Sequence, residues 1–258
     1  MKAKRLLTCL LATLILASCA APQPKLDSSK LATVRTIAVA VPHRAHYSAA
    51  SSSGPIVIPG AGVIAAAVGA AVSGGINAST DKKALTFDEV VSAKLGDTHF
   101  SRRFVDAVEA ELRVQGYTVS EIDLSQEGLK TEFDRNTWSF KLTGPQGYKA
   151  ADAILVANVG EAYFAPGPLN SFTRQINGGI DIYKADTLEP IFTKRLSFLK
   201  FTDPYSYATY QGIVDDLPHA IQGLDDAAMS LIPGFSASLS ATRKNAIASG
   251  TQTETRAQ

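Results

Sequence analysis

The chain has 258 residues, 45% hydrophobic and 19% charged, with 25 Lys and Arg against 24 Asp and Glu. That balance lacks the basic surplus that nucleic acid requires. Cys9 and Cys19 are its only cysteines, so everything beyond them is free of disulfides, cysteine-ligated metal and thiol nucleophiles.

Lys2, Lys4 and Arg5 open the chain, Leu6 to Ala17 is an almost unbroken apolar run, and the small residues Ala17 and Ser18 precede Cys19. This is the three-part layout of an export signal. Its end, Leu16-Ala17-Ser18-Cys19, resembles the lipobox of bacterial lipoproteins. The resemblance implies removal of residues 1–18, diacylation of the Cys19 sulfur and acylation of the new amino terminus, an anchor that needs no spanning helix. Ala20, where an aspartate would retain the chain in the inner membrane, resembles the signal for release to the outer membrane. The expected address is therefore the cell outer membrane, lipid-anchored, on the periplasmic face. An ordinary secreted protein or an uncleaved anchor are the alternatives, and the apolar run is short for a span. Losing residues 1–18 takes three cations away and leaves a net charge of about −2.

Residues 19–32, with Pro22, Pro24, Ser28 and Ser29, read as a lipidated tether. Thr33 to Val41 alternates and is rich in β-branched residues, which predicts a strand ending at Pro42. The insertion 45–80 contains no Asp, Glu, Lys or Arg, and Gly60 to Ser79 holds five glycines and seven alanines. Gly62, Ala66, Ala70 and Gly74 recur at every fourth position and would share one helix face, the spacing of close small-residue packing. Three readings stand: an inert surface insertion, a glycine-zipper-like element for homo-oligomers, and a segment touching the bilayer. Asp97 to Gly116 carries Phe100, Phe104, Val105, Val108 and Leu112 at helical spacing, and Tyr117 to Leu124 alternates as a strand. Gln126 to Gly147 lacks a period, with Trp138, Phe140 and Leu142 expected beneath a loop or short helix. Ala153 to Phe164, Ser171 to Lys184 and Pro190 to Phe201 are three strands, the last two forming a hairpin through Ala185 to Glu189. Tyr205 to Ile232 is helical, kinked or split at Pro218. Residues 236–258 are polar and expected to be a disordered tail.

The expected fold class is thus α/β (α+β), a small mixed sheet of about five strands with two main helices, in one domain over 33–235. Its TIAVAV at 36–41, FVDAVEAELRVQGYTV at 104–119 and KAADAILVANVGE at 149–161 resemble the α/β domain of the TolB N-terminal part, the curli-secretion lipoproteins and the lipoprotein activators of peptidoglycan synthases. That group consists of assembly, scaffold and activator proteins. The resemblance brings no catalytic residue and implies an envelope protein or a second copy as partner.

Few residues fall into a pattern that carries chemistry. His43 and His46 stand beside Arg44, which repels a cation, so no metal is expected. No Gly-x-Ser-x-Gly elbow, phosphate loop or dinucleotide fingerprint occurs, and no cofactor is expected. His99 and His219 fall on helix surfaces; the adjacent pairs Asp215–Asp216 and Asp225–Asp226 read as a solvated acidic face. Tyr205, Tyr207 and Tyr210 supply apolar area and hydroxyls within six residues, so they are the expected partner surface, unless they simply cover the end of the sheet. Two functions follow: a non-enzymatic, lipid-anchored assembly or interaction protein, or a periplasmic envelope enzyme acting on peptidoglycan or a small substrate through converging carboxylates.

Overall fold

The computed structural model describes residues 26–52, 56–58, 62–64, 85–134, 139–167, 169–200 and 204–256. Cys19 with its lipobox, Ala66, Ala70, Gly74 and Trp138 lie outside these residues. The fold is mixed α/β, as the alternation and helical spacing predicted. Its main sheet runs in the order β10 (Pro190–Leu199), β9 (Thr173–Lys184), β8 (Ala153–Ala165), β1 (Thr36–Ala40), β5 (Thr118–Ile122), with β2 (Tyr47–Ser51) also pairing β8. β1 lies parallel to both β5 and β8, whereas β8, β9 and β10 are antiparallel.

The length of β8 explains the one strand that sequence alone conceals. Its first residues pair with β1 (Ile37 opposite Ala153) and its last with β2 (Tyr47 opposite Glu161), both parallel. Pro42 has no N–H to give to a ladder, so the chain leaves the sheet after β1 and rejoins β8 farther along. β1 and β2 are two pieces of one interrupted neighbour. The expected insertion therefore starts with sheet. Two short strands, β3 (Ile56–Ile58) and β4 (Gly62–Ile64), pair antiparallel within it.

Strand parity sorts the core onto two faces. Ile37, Val39, Ala153 and Leu155 meet the helices, while Ala38, Ala40, Ile154 and Val156 point the other way. Helices α1 (Phe87–Leu95) and α2 (Phe100–Val114) cover the first face. α1 starts with a capping box in which Thr86 Oγ1 accepts from Glu89 N–H and Glu89 accepts from Thr86 N–H. α2 buries Phe104 and Val108 as its spacing predicted and stops before Gly116, whose φ of +83° favours glycine. Phe104→Ala is expected to cost about 3–5 kcal/mol; an unchanged urea midpoint would show that the ring contributes nothing to the core.

The opposite face is roofed by a hairpin, β6 (Lys130–Asp134) with β7 (Ser139–Thr143), not by the loop or short helix expected there. Leu142 is buried against the sheet, and the Tyr183 hydroxyl donates to the Phe140 carbonyl at 2.9 Å. Asp152, from the stretch that carried the family resemblance, clamps the parallel strands. Its Oδ2 accepts from Arg35 N–H at 2.8 Å and Thr36 N–H at 2.9 Å, and these backbone donors hold its carboxyl below the ordinary range.

Both ends of the expected domain need correction. A 3-10 turn over Ser28–Thr33 buries Leu31 completely, so the last part of the expected tether belongs to the fold. The helical stretch splits at Pro218 into α3 (Tyr210–Asp215) and α4 (Leu217–Met229), with the proline in the first turn where no N–H is missed. Beyond them α5 (Ile232–Arg256) replaces the expected disordered tail. Phe235, Leu239 and Ala246 repeat at intervals of four and seven residues, all are buried, and Phe235 meets Phe192 of β10 edge-on at 6.0 Å. Among the described residues no helix is long and apolar enough to cross a membrane.

Candidate functional site

The polar groups inside the helical face gather along α4. Asp225 lies on the same side of α4 as Leu217, Ile221, Leu224 and Ala228 and is buried, a correction to the solvated acidic face expected for it. Its Oδ1 accepts from the Tyr47 hydroxyl at 3.1 Å, and its Oδ2 accepts from Arg103 of α2 at 2.5 Å. Tyr47 shares its hydroxyl with Thr98 at 2.7 Å. Arg103 reaches in from outside, its side chain 54% exposed.

Beside this network sits Glu161 of β8, only 2% exposed, with neither carboxylate oxygen hydrogen-bonded. Its position in the strand puts it in phase with Leu155 and Tyr163, facing the helices. Burial, reinforced by the neighbouring Asp225 charge and opposed by Arg103, pushes its carboxyl up to about 9, so it is neutral at pH 7. Burial also raises Asp225, against the hydrogen bond from Arg103, and raises the Tyr47 phenol well above its ordinary range. Two carboxyl groups thus lie in the field of one guanidinium, which contacts Asp225, and a proton on Glu161 balances the charge.

Farther along α4 the network reaches the surface. Arg174 of β9 is buried and donates to the Gly223 carbonyl, while the Tyr205 ring lies over its guanidinium at 4.2 Å. A Cβ on Gly223 would come within 2.4 Å of that ring, so glycine is what lets the turn that carries Tyr205 approach α4 so closely. Tyr205 also stacks on His219 at 4.6 Å, and Tyr207 donates to Asp216 at 2.9 Å. Reciprocal backbone hydrogen bonds between Phe172 and Tyr207 tie this stretch to the loop before β9.

The three expected surface tyrosines therefore part company. Tyr205 and Tyr207 are half-buried and present edges to solvent beside His219. Tyr210 is buried at 4% exposure against Phe87, because it opens α3 on the side facing the core, and it cannot form a partner surface. Burial pushes its phenol up to about 12. Gly62 lies in β4, so it does not share a helix face with the other small residues proposed for self-association. His46 Nδ1 does have a carboxylate at hand, Asp88 at 3.1 Å. Among the described residues no group of three or more His, Asp or Glu side chains could hold a metal.

Sequence reading missed Glu161, Arg174 and Arg103. The first two carried a signal: each is a charge at the core-facing parity of a strand, Glu161 in phase with Tyr163 and Arg174 with Ile176 and Ile180. Such a charge is buried and must find company. Arg103 shows no signal, because its partner comes from a segment 122 residues away.

No known protein family matches the sequence, and no curated protein does. A solved structure described only as an uncharacterized protein aligns over 83% of this chain and 96% of its own at 12% identity, with a TM-score of 0.25, too loose to bear on fold or function.

Proposed function

We propose that this protein is a lipid-anchored lipoprotein of the bacterial outer membrane, facing the periplasm, that acts without catalysis in assembly or protein–protein interaction. One observation carries the address: a basic start, an apolar run and Leu16-Ala17-Ser18-Cys19 in the order an export and lipidation signal needs. The interaction role draws on the exposed edges of Tyr205 and Tyr207 beside His219, amphipathic side chains of the kind that anchor interfaces. The partner is an envelope protein or a second copy; for the latter the sequence offers Ala66, Ala70 and Gly74, three of the four regularly spaced small residues.

The enzyme reading has one observation in its favour, the convergence of Glu161 and Asp225 with the former protonated at neutral pH, as an acid and base pair would be. Against it stands access: both Glu161 oxygens are sealed from solvent, so no substrate reaches them in this conformation.

Cys19→Ser is expected to abolish acyl labelling and leave residues 1–18 attached, and crosslinking in intact envelopes should then lose its adducts. Acyl incorporation persisting in that variant would overturn the address. Hydrolysis of peptidoglycan by the purified chain, lost in Glu161→Gln, would overturn the non-enzymatic role.

A further inference from the structure

The face of the sheet away from α4 contains a cavity that the polar network does not use. Between hairpin β6–β7 and the turn 185–189, Phe140, Leu142, Tyr183 and Leu188 wall a space of about 210 Å³, with Asp181 and Thr193 contributing polar groups and Lys141 and Glu189 also on the lining. An apolar cavity of roughly 150 Å³ holds one benzene. This one therefore suits a single aromatic ring with a small substituent, and is too small for an oligosaccharide or a large cofactor.

Two features of the wall point to a ligand. Asp181 is 3% exposed, and burial raises its carboxyl although Thr193 hydrogen-bonds it and Arg195 lies near. A carboxyl group has about four lone-pair sites, more than Thr193 fills, so it can take a further donor from inside the pocket. Leu188 has φ +58°, a left-handed backbone that a branched side chain adopts only at a cost of about 1–2 kcal/mol. Held this way, Leu188 packs against the small core on this face instead of projecting from the turn. Strained residues of this kind persist where the surroundings fix them, and they gather at ligand clamps.

We propose that this pocket binds a small aromatic molecule carrying one hydrogen-bond donor, a phenol in its simplest form, with the ring on the apolar wall and the donor on Asp181. The proposal stands independently of the lipid anchor and of any partner at Tyr205. Its mostly apolar lining with a few polar groups is the general pattern of small-molecule sites, and the donor requirement gives it selectivity, because only a ring that carries a donor gains a hydrogen bond to Asp181.

The test is a titration of the purified full chain with 4-methylphenol and with toluene, followed by the methyl resonances of Leu142 and Leu188. Saturable shifts are expected with 4-methylphenol and roughly tenfold weaker ones with toluene. Asp181→Leu should erase the difference between the two probes. Should that variant fail to fold, Leu188→Trp, in a half-exposed turn, fills the space and should remove the Leu142 shifts with 4-methylphenol. Absence of saturation in the wild type, equal affinity for both probes, or undiminished binding in Leu188→Trp would each overturn the proposal.

Discussion

Glu161→Gln is expected to stabilise the fold at pH 7 by about 3 kcal/mol, the largest gain that a single substitution should give here. In the unfolded chain this glutamate loses its proton near its ordinary value of 4.5; in the fold it keeps it to about 9. Between those pH values the native state holds a proton that the unfolded state lacks. Stability therefore falls as pH rises, by about 1.4 kcal/mol per pH unit, and this loss is complete above the folded value. Glutamine has the same shape and no proton to lose. Its advantage should be near zero at pH 4.5, clear at pH 7 and greatest at pH 9. Urea midpoints at those three values test it; a constant difference, or none, would mean that Glu161 is ionised and satisfied in the native state.

Such a cost locates the unusual chemistry of the molecule. A carboxyl group without a hydrogen bond in a helix-covered core is under-satisfied whether or not it is charged. Among the described residues Arg103 is the cation whose charge acts on it, and its hydrogen bond goes to Asp225. The half-exposed Arg103 side chain closes this network from the solvent side. Glu161 itself is 2% exposed.

The parts of the fold that local pattern dictates were legible in the sequence. β1, β8, β9, β10 and α2 are long enough, or regular enough in period, to declare themselves, and the split at Pro218 follows from the missing N–H. The hairpin β6–β7 was not legible, because its strands are only five residues each. β2 was hidden because it borrows its partner from β8, more than 110 residues away. Thr86-Phe87-Asp88-Glu89 carried a capping signal for α1 that the neighbouring uncharged stretch obscured. For the site, Tyr205 and Tyr207 are half-buried and Tyr210 is buried, since three tyrosines on a bend cannot all face one way. The buried charges required strand parity to be read for polar as well as apolar residues.

The C-terminal helix shows how few large side chains suffice to order a polar stretch. α5 is mostly Ser, Ala, Thr and Asn, a composition that suggests disorder when averaged. Averages conceal spacing. Phe235 and Leu239, four apart, bring two fully buried side chains onto one face. Gln115 then fixes the start of the helix by donating to the Ser236 carbonyl at 3.0 Å, and Arg243 returns the contact by donating to the Gln115 carbonyl at 2.9 Å. Arg243 also covers the Tyr117 ring at 4.4 Å. Phe235→Ala is therefore expected to cost about 3–5 kcal/mol, because it removes a fully buried ring and leaves Phe192 without its edge-on neighbour. Thermal melts of the variant should shift down by about 10 °C or more, and amide exchange should accelerate along 232–246 and in the Ser28–Thr33 turn that packs on it. A tail that merely trails from the domain would give a melting point indistinguishable from the wild type, and protection confined to residues before 232.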